Sequence, residues 1–182
     1  MITTKPRGYK VEPQSKKTLE AEASQLYQLL EDTGYAKDGR VNAPAILEHV
    51  FPVLGLQLKI IDKSELKDIA AYVSPFEGLI VVRSDIYDDL YNDDGRARFT
   101  IMHEISHMIL DHHITLHRDA EVGNHKHFED SEWQADYLSA ATMMPIHIVK
   151  KYFNNPIGLA KHCGCSIRSA EIRIANVKKS SK

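Results

Sequence analysis

Residues 98–113 read RFTIMHEISHMILDHH, and this stretch decides the fold. A helical pattern runs from Arg96, and within it His103 and His107 stand four residues apart, which puts them on one helix face about 5–6 Å from each other. Two imidazoles so placed converge on a single ion at zinc–nitrogen distances of about 2 Å. Glu104 lies about 100° round the helix, badly placed to join that clamp but able to reach a water on the ion, the position of a general base. Ile101, Ile105, Met108 and Ile109 form one stripe, with the histidines projecting from nearly the opposite side. Such a helix is expected to be covered on both faces, as one flooring a cleft is.

The motif needs support, because a chain with 10 histidines and twelve glutamates contains one HExxH by chance in about 4% of cases. A catalytic zinc takes three protein ligands and leaves the fourth position to water, so a third ligand is sought downstream. Glu132 opens EWQAD, and with Asp136 it makes the only Glu-x-x-x-Asp pair in the sequence. In a helix predicted over 130–144, Trp133, Tyr137, Ala140 and Met144 form an apolar stripe, while Glu132, Asp136, Ser139 and Met143 share the neighbouring face. Glu132 is thus the candidate third ligand. Asp136 is placed to accept the free N–H of a ligating imidazole and so fix its tautomer. Small Ala135 and Ser139 would let the two helices approach closely.

His113 and His117 repeat the four-residue spacing, and His125 and His127 form an HxH. Neither pair has a glutamate beside its first histidine, and both fall where helix gives way to loop, so they are read as solvated loop histidines. His112 receives no role. Cys163 and Cys165, at i,i+2, are poorly placed for an unstrained bridge and are read as packed or surface thiols in a reducing compartment.

Around these motifs the chain reads as α+β. A polar tail over 1–17 precedes a helix marked by Leu19, Ala23, Leu26 and Leu30 and stopped at Gly34. A second helix starts at Asn42 and Pro44 and ends at Gly55. LQLKII (56–61), IAAYV (69–73) and LIVV (79–82) predict a small, mostly antiparallel sheet. The rest is helical, interrupted near 114–128 and at Pro145 and Pro156. The 182 residues suit one domain over 18–182.

A net charge of −2 provides no global basic field to hold nucleic acid. The N-terminus lacks an apolar signal region, and no stretch reaches the roughly 18 apolar residues of a membrane span. A cytoplasmic protein without membrane association is expected.

RFTIMHEISHMILDHH followed by EWQADYLSAATMMP resembles the ImmA/IrrE family of metallopeptidases, whose pattern is RFTxAHELGHxLLH and then ExxANxFAxxLLMP. The resemblance runs from LIVV to CGCSIRSAEIRI, about the last hundred residues. Ser106 stands where the family has glycine, Asp136 where it has asparagine, Leu138 where it has phenylalanine, and Thr142-Met143 where it has two leucines. The resemblance implies a compact zincin-like domain and one catalytic zinc ion held by His103, His107 and Glu132. It also implies Glu104 as base and a protein substrate, a helix-turn-helix transcriptional repressor. Two other classes of function compete. Residues 157–178 resemble a helix-turn-helix that would reach DNA through Arg168 and Arg173, and a zinc site could serve a non-catalytic partner-recognition module. No spacing selects an oxyanion-stabilising residue or an oligomeric state.

Overall fold

Ser15 caps the first helix, α1 (Lys16–Asp32), by accepting the Thr18 backbone N–H at 3.0 Å. Its buried row is Leu19, Ala23, Tyr27 and Leu30. The chain then turns through Gly34 at φ +81°, a conformation that favours glycine. This computed structural model describes residues 8–112 and 124–180; His113 and His117 lie outside them.

A short hairpin of β1 (Ala36–Lys37) and β2 (Arg40–Val41) leads into α2, which runs over Ala43–Ala45, Ile46–Val50 and Phe51–Val53. Its central part widens to a π-helical register just before Pro52. A proline has no N–H to return to the preceding turn, and the wider register relieves that mismatch. Three strands follow: β3 (Gln57–Ile61), β4 (Ala71–Ser74) and β5 (Leu79–Arg83), in the order β3-β5-β4. The β4–β5 pair is antiparallel, as the turn residues Ser74, Pro75 and Gly78 predict. The β3–β5 pair is parallel, with Leu58 opposite Ile80, because the chain leaving β3 crosses to the far edge before returning. Ile80, Val81 and Val82 of the central strand are all buried, which explains their unalternated apolar run.

A helix that the periodicity reading passed over, α3 (Ser84–Tyr91), packs Ile86 and Leu90 into the core. The HExxH helix, α4 (Gly95–Ile109), starts at Asp94, whose side chain accepts the Arg96 and Ala97 N–H groups, each at 2.8 Å. Arg98 is 4% exposed and ties this end of α4 to Asp93 and to the Val41 carbonyl. Ala97 and Ile101 pack with Leu47, Phe51, Val73 and Ile80, so α4 lies across the sheet. Ile109, expected on the packed stripe, is 41% exposed because it sits in the last turn.

The helix carrying Glu132, α5 (Ser131–Met143), lies between α4 and α1 and is buried nearly all round, including Gln134, Ala135, Leu138, Ser139 and Thr142. Then come α6 (Ile146–Lys151), α7 (Pro156–Cys163) and α8 (Ile167–Ser180), packed through Ile148, Leu159, Cys163, Ala170 and Ile174. Both cysteines are free. Burial pushes the Cys163 thiol up to about 12, so it stays protonated and inert.

Three expectations need correction. The polar tail over 1–17 is docked along part of its length: Lys10 bridges Asp130, Val11 N–H donates to the Glu129 carbonyl at 2.8 Å, and Gln14 N–H donates to the Phe128 carbonyl at 3.0 Å. Val11 is buried at 6% exposure and anchors that docking. Arg173 does not face a nucleic acid, since it is 2% exposed and bound to Glu20 and to the Met144 carbonyl. His125 is not a solvated loop residue. Its side chain is fully buried and its Nε2 lies 3.0 Å from Asp130 Oδ2. Among the described residues, no helix is long and apolar enough to cross a membrane.

Candidate metal centre

The seam between α4 and α5 sets the site. Ser106 and Ser139, both fully buried, face each other with their hydroxyl oxygens 2.8 Å apart, and each hydroxyl also bonds to a carbonyl of its own helix. Hydroxymethyl groups at the contact keep the helices close. About two turns towards the N-terminus of α5, Glu132 then reaches the histidine face of α4.

There the three sequence-derived candidates meet. His103 Nε2 and His107 Nε2 are 2.9 Å apart, and each lies 3.3 Å from an oxygen of Glu132. One donor atom from each of His103, His107 and Glu132 falls within 4.8 Å of the others. Two imidazole lone pairs and a carboxylate aimed at one point repel unless a cation or proton lies between them. The donor set, two nitrogens and one oxygen, suits a zinc ion with a fourth position left for water. The residues present therefore fit a divalent metal.

Electrostatics agree with that geometry. Burial alone would lower the His103 imidazolium, but the carboxylates of Asp136 and Glu132 outweigh it and raise the group to about 9. Hydrogen bonds from His103 and His107 hold the Glu132 carboxyl far below the usual range, against the effect of burial. Asp136 Oδ1 lies 3.1 Å from His103 Nδ1, within reach though off the direction in which the ring N–H points. The Asp136 carboxylate thus lies beside the His103 ring.

Glu104 projects from α4 towards β4. Its carboxyl is raised by burial, pulled down by His103 and His107, raised by Glu132 and lowered by a hydrogen bond from the Val73 backbone N–H. The net upward shift moves a carboxylate towards the range in which it can both take and return a proton. Because Val73 turns its N–H to Glu104, the outward hydrogen-bonding edge of β4 faces the site. Sequence patterning had placed Glu104 on the helix, but which strand lies beside it depends on the sheet order.

A second histidine partner also escaped the sequence reading. His112, 2% exposed, folds back just beyond the end of α4, where Asp111 has φ +51°, and its Nδ1 lies 2.8 Å from His107 Nδ1. No spacing rule selects a residue that reaches the site through such a turn. A cavity of about 790 Å3 lined by Arg40, Asp93, Arg98 and His162 shares no residue with the metal centre.

Fold and site together define an α+β domain of the metallopeptidase class, built on a helix carrying HExxH. The family model of peptidase M78, described as the IrrE N-terminal-like domain, matches residues 76–174. The chain belongs to that family. No curated protein matches it.

Proposed function

We propose that the protein is a zinc-dependent endopeptidase, with His103, His107 and Glu132 as ligands and Glu104 as general base. The observation that carries this reading is the convergence of those three side chains with Glu104 alongside. A zinc ion held there supplies Lewis acidity for the scissile carbonyl and makes water nucleophilic near neutral pH. Glu104 takes the proton from the attacking water and delivers it to the leaving amine. Asp136 keeps the His103 ring oriented. Among the described residues no strand pairs with the outer edge of β4, and an extended peptide laid along Ala71–Ser74 fits there, with Val73 N–H passing from Glu104 to the peptide.

The substrate proposed is a helix-turn-helix repressor, from the family resemblance, and the compartment proposed is the cytoplasm, as the sequence reading expects. Burial of Arg173 weighs against the competing DNA-binding reading, because it removes one of the two arginines that reading requires. The test mixes zinc-loaded protein, wild type and Glu104→Gln, with repressors encoded beside its gene. Discrete fragments with the wild type alone support the reading. Equal cleavage by the Glu104→Gln protein removes Glu104 as base, and no cleavage of any neighbouring repressor removes the substrate.

A further inference from the structure

The hydrogen bonds behind His107 can be followed from their far end, where donor and acceptor are unambiguous. Gln134, 1% exposed, contacts the carbonyl oxygens of Glu12 and Phe128 at 2.8 and 2.9 Å. Carbonyls only accept, so the amide nitrogen of Gln134 must face them and its oxygen must face the other way. That oxygen, Oε1, lies 3.1 Å from His112 Nε2, which therefore donates.

A His107 ring that ligates through Nε2 carries its proton on Nδ1, and a His112 ring with its proton on Nε2 presents a lone pair at Nδ1 to receive it. The neighbour of that lone pair is His107 Nδ1 at 2.8 Å, which must then carry the proton. His107 is left with its lone pair on Nε2, the atom that faces His103 and Glu132. Two backbone carbonyls, one of them in the docked N-terminal segment, thus fix the tautomer of a residue two steps away.

We propose that His112, itself set by Gln134, is a positioning residue that locks His107 in its metal-binding tautomer. It serves His107 as Asp136 serves His103, through a neutral acceptor in place of a carboxylate. The docked segment around Glu12 is then part of the metal centre, since its carbonyl helps orient the Gln134 amide. This inference rests on His103, His107 and Glu132 being metal ligands.

Zinc affinity, measured by competition with a chromogenic chelator, and the visible spectrum of the cobalt-substituted protein provide the test. His112→Phe keeps a ring but has no acceptor, and is expected to lose about 10–100-fold in zinc affinity and to shift the cobalt bands. His112→Asn, whose side-chain oxygen can stand near the position of Nδ1, is expected to recover most of both. Should the phenylalanine protein not fold, His112→Ala removes the acceptor without adding bulk and is read in its place.

Wild-type affinity in the acceptor-free variant overturns the inference. So does an equal loss with asparagine, because volume and not the hydrogen bond would then matter. His107→Ala separates the two levels of argument: a wild type that binds zinc no better than this variant removes the metal site itself, whereas a wild type that needs His107 but ignores His112 removes only the positioning role.

Discussion

Ser106 Oγ and Ser139 Oγ, 2.8 Å apart and sealed from solvent, join the two helices that supply the metal-site residues. There is no room for a longer side chain at either position without moving α5 away from α4. Ser139→Leu is therefore expected to lower stability by about 1–3 kcal/mol through overpacking. It should also weaken zinc binding, because Glu132 moves with α5. Ser139→Ala, which loses only the hydroxyl's hydrogen bonds and adds no bulk, is expected to cost about 1 kcal/mol and leave zinc affinity near normal. Denaturant midpoints and a zinc titration on both variants separate the two outcomes.

Zinc removal has a calculable consequence. A metal that binds only the folded state stabilises it by about 4 kcal/mol at a thousandfold excess over its dissociation constant. Chelation should lower the melting temperature accordingly, and Glu132→Ala should abolish the difference between the two forms. Unchanged melting on chelation would count against a folded-state metal site.

Zinc affinity should also depend on pH. In the metal-free protein the His103 imidazolium titrates near a value raised to about 9, so at neutral pH a proton must leave before the ring can ligate. Apparent affinity is expected to tighten by about tenfold per pH unit from pH 7 up to that value and then level off. Proton release on zinc addition, followed in weakly buffered solution, measures the same linkage.

Much of the site was legible in the sequence because helical spacing converts directly into geometry. His103 and His107 share a face whatever surrounds them, and Glu132 and Asp136 share one on α5, so the only tertiary step was the approach of two helices through small residues. What the sequence withheld depends on chain path. The parallel β3–β5 pair follows from a crossover that short apolar runs cannot encode. His112 reaches His107 through a turn beyond the end of α4, and Arg173 looks like an exposed helix residue until Glu20, 153 positions away, is brought beside it.

Glu104→Gln keeps the shape of the proposed base and removes its ability to hold a proton. Peptide cleavage is expected to fall by about 10²–10⁴-fold, with zinc affinity changed little because Glu104 is not among the ligands. Rates should be compared with metal content measured on the same preparations. Loss of zinc together with activity would assign Glu104 to the metal instead of to the proton.

Glu20 offers a stability prediction away from the site. It joins α1 to α8 by pairing with Arg173 and accepts a hydrogen bond from the Tyr137 hydroxyl at 2.9 Å. Burial works to raise its carboxyl, but Arg173, Tyr137 and Lys16 together bring it below the ordinary value of 4.5. The folded state thus binds fewer protons than the unfolded chain between the two values, and stability rises with pH across that window. The contribution is complete above 4.5 and is lost as pH falls through the depressed folded value. Glu20→Ala leaves the 2% exposed Arg173 without its carboxylate, which should cost about 3 kcal/mol at neutral pH. The deficit should shrink on acidification, because the wild type loses the same interaction there. Urea unfolding of both proteins from pH 7 to pH 3 checks it, and two parallel curves would show that the pair contributes nothing to acid sensitivity.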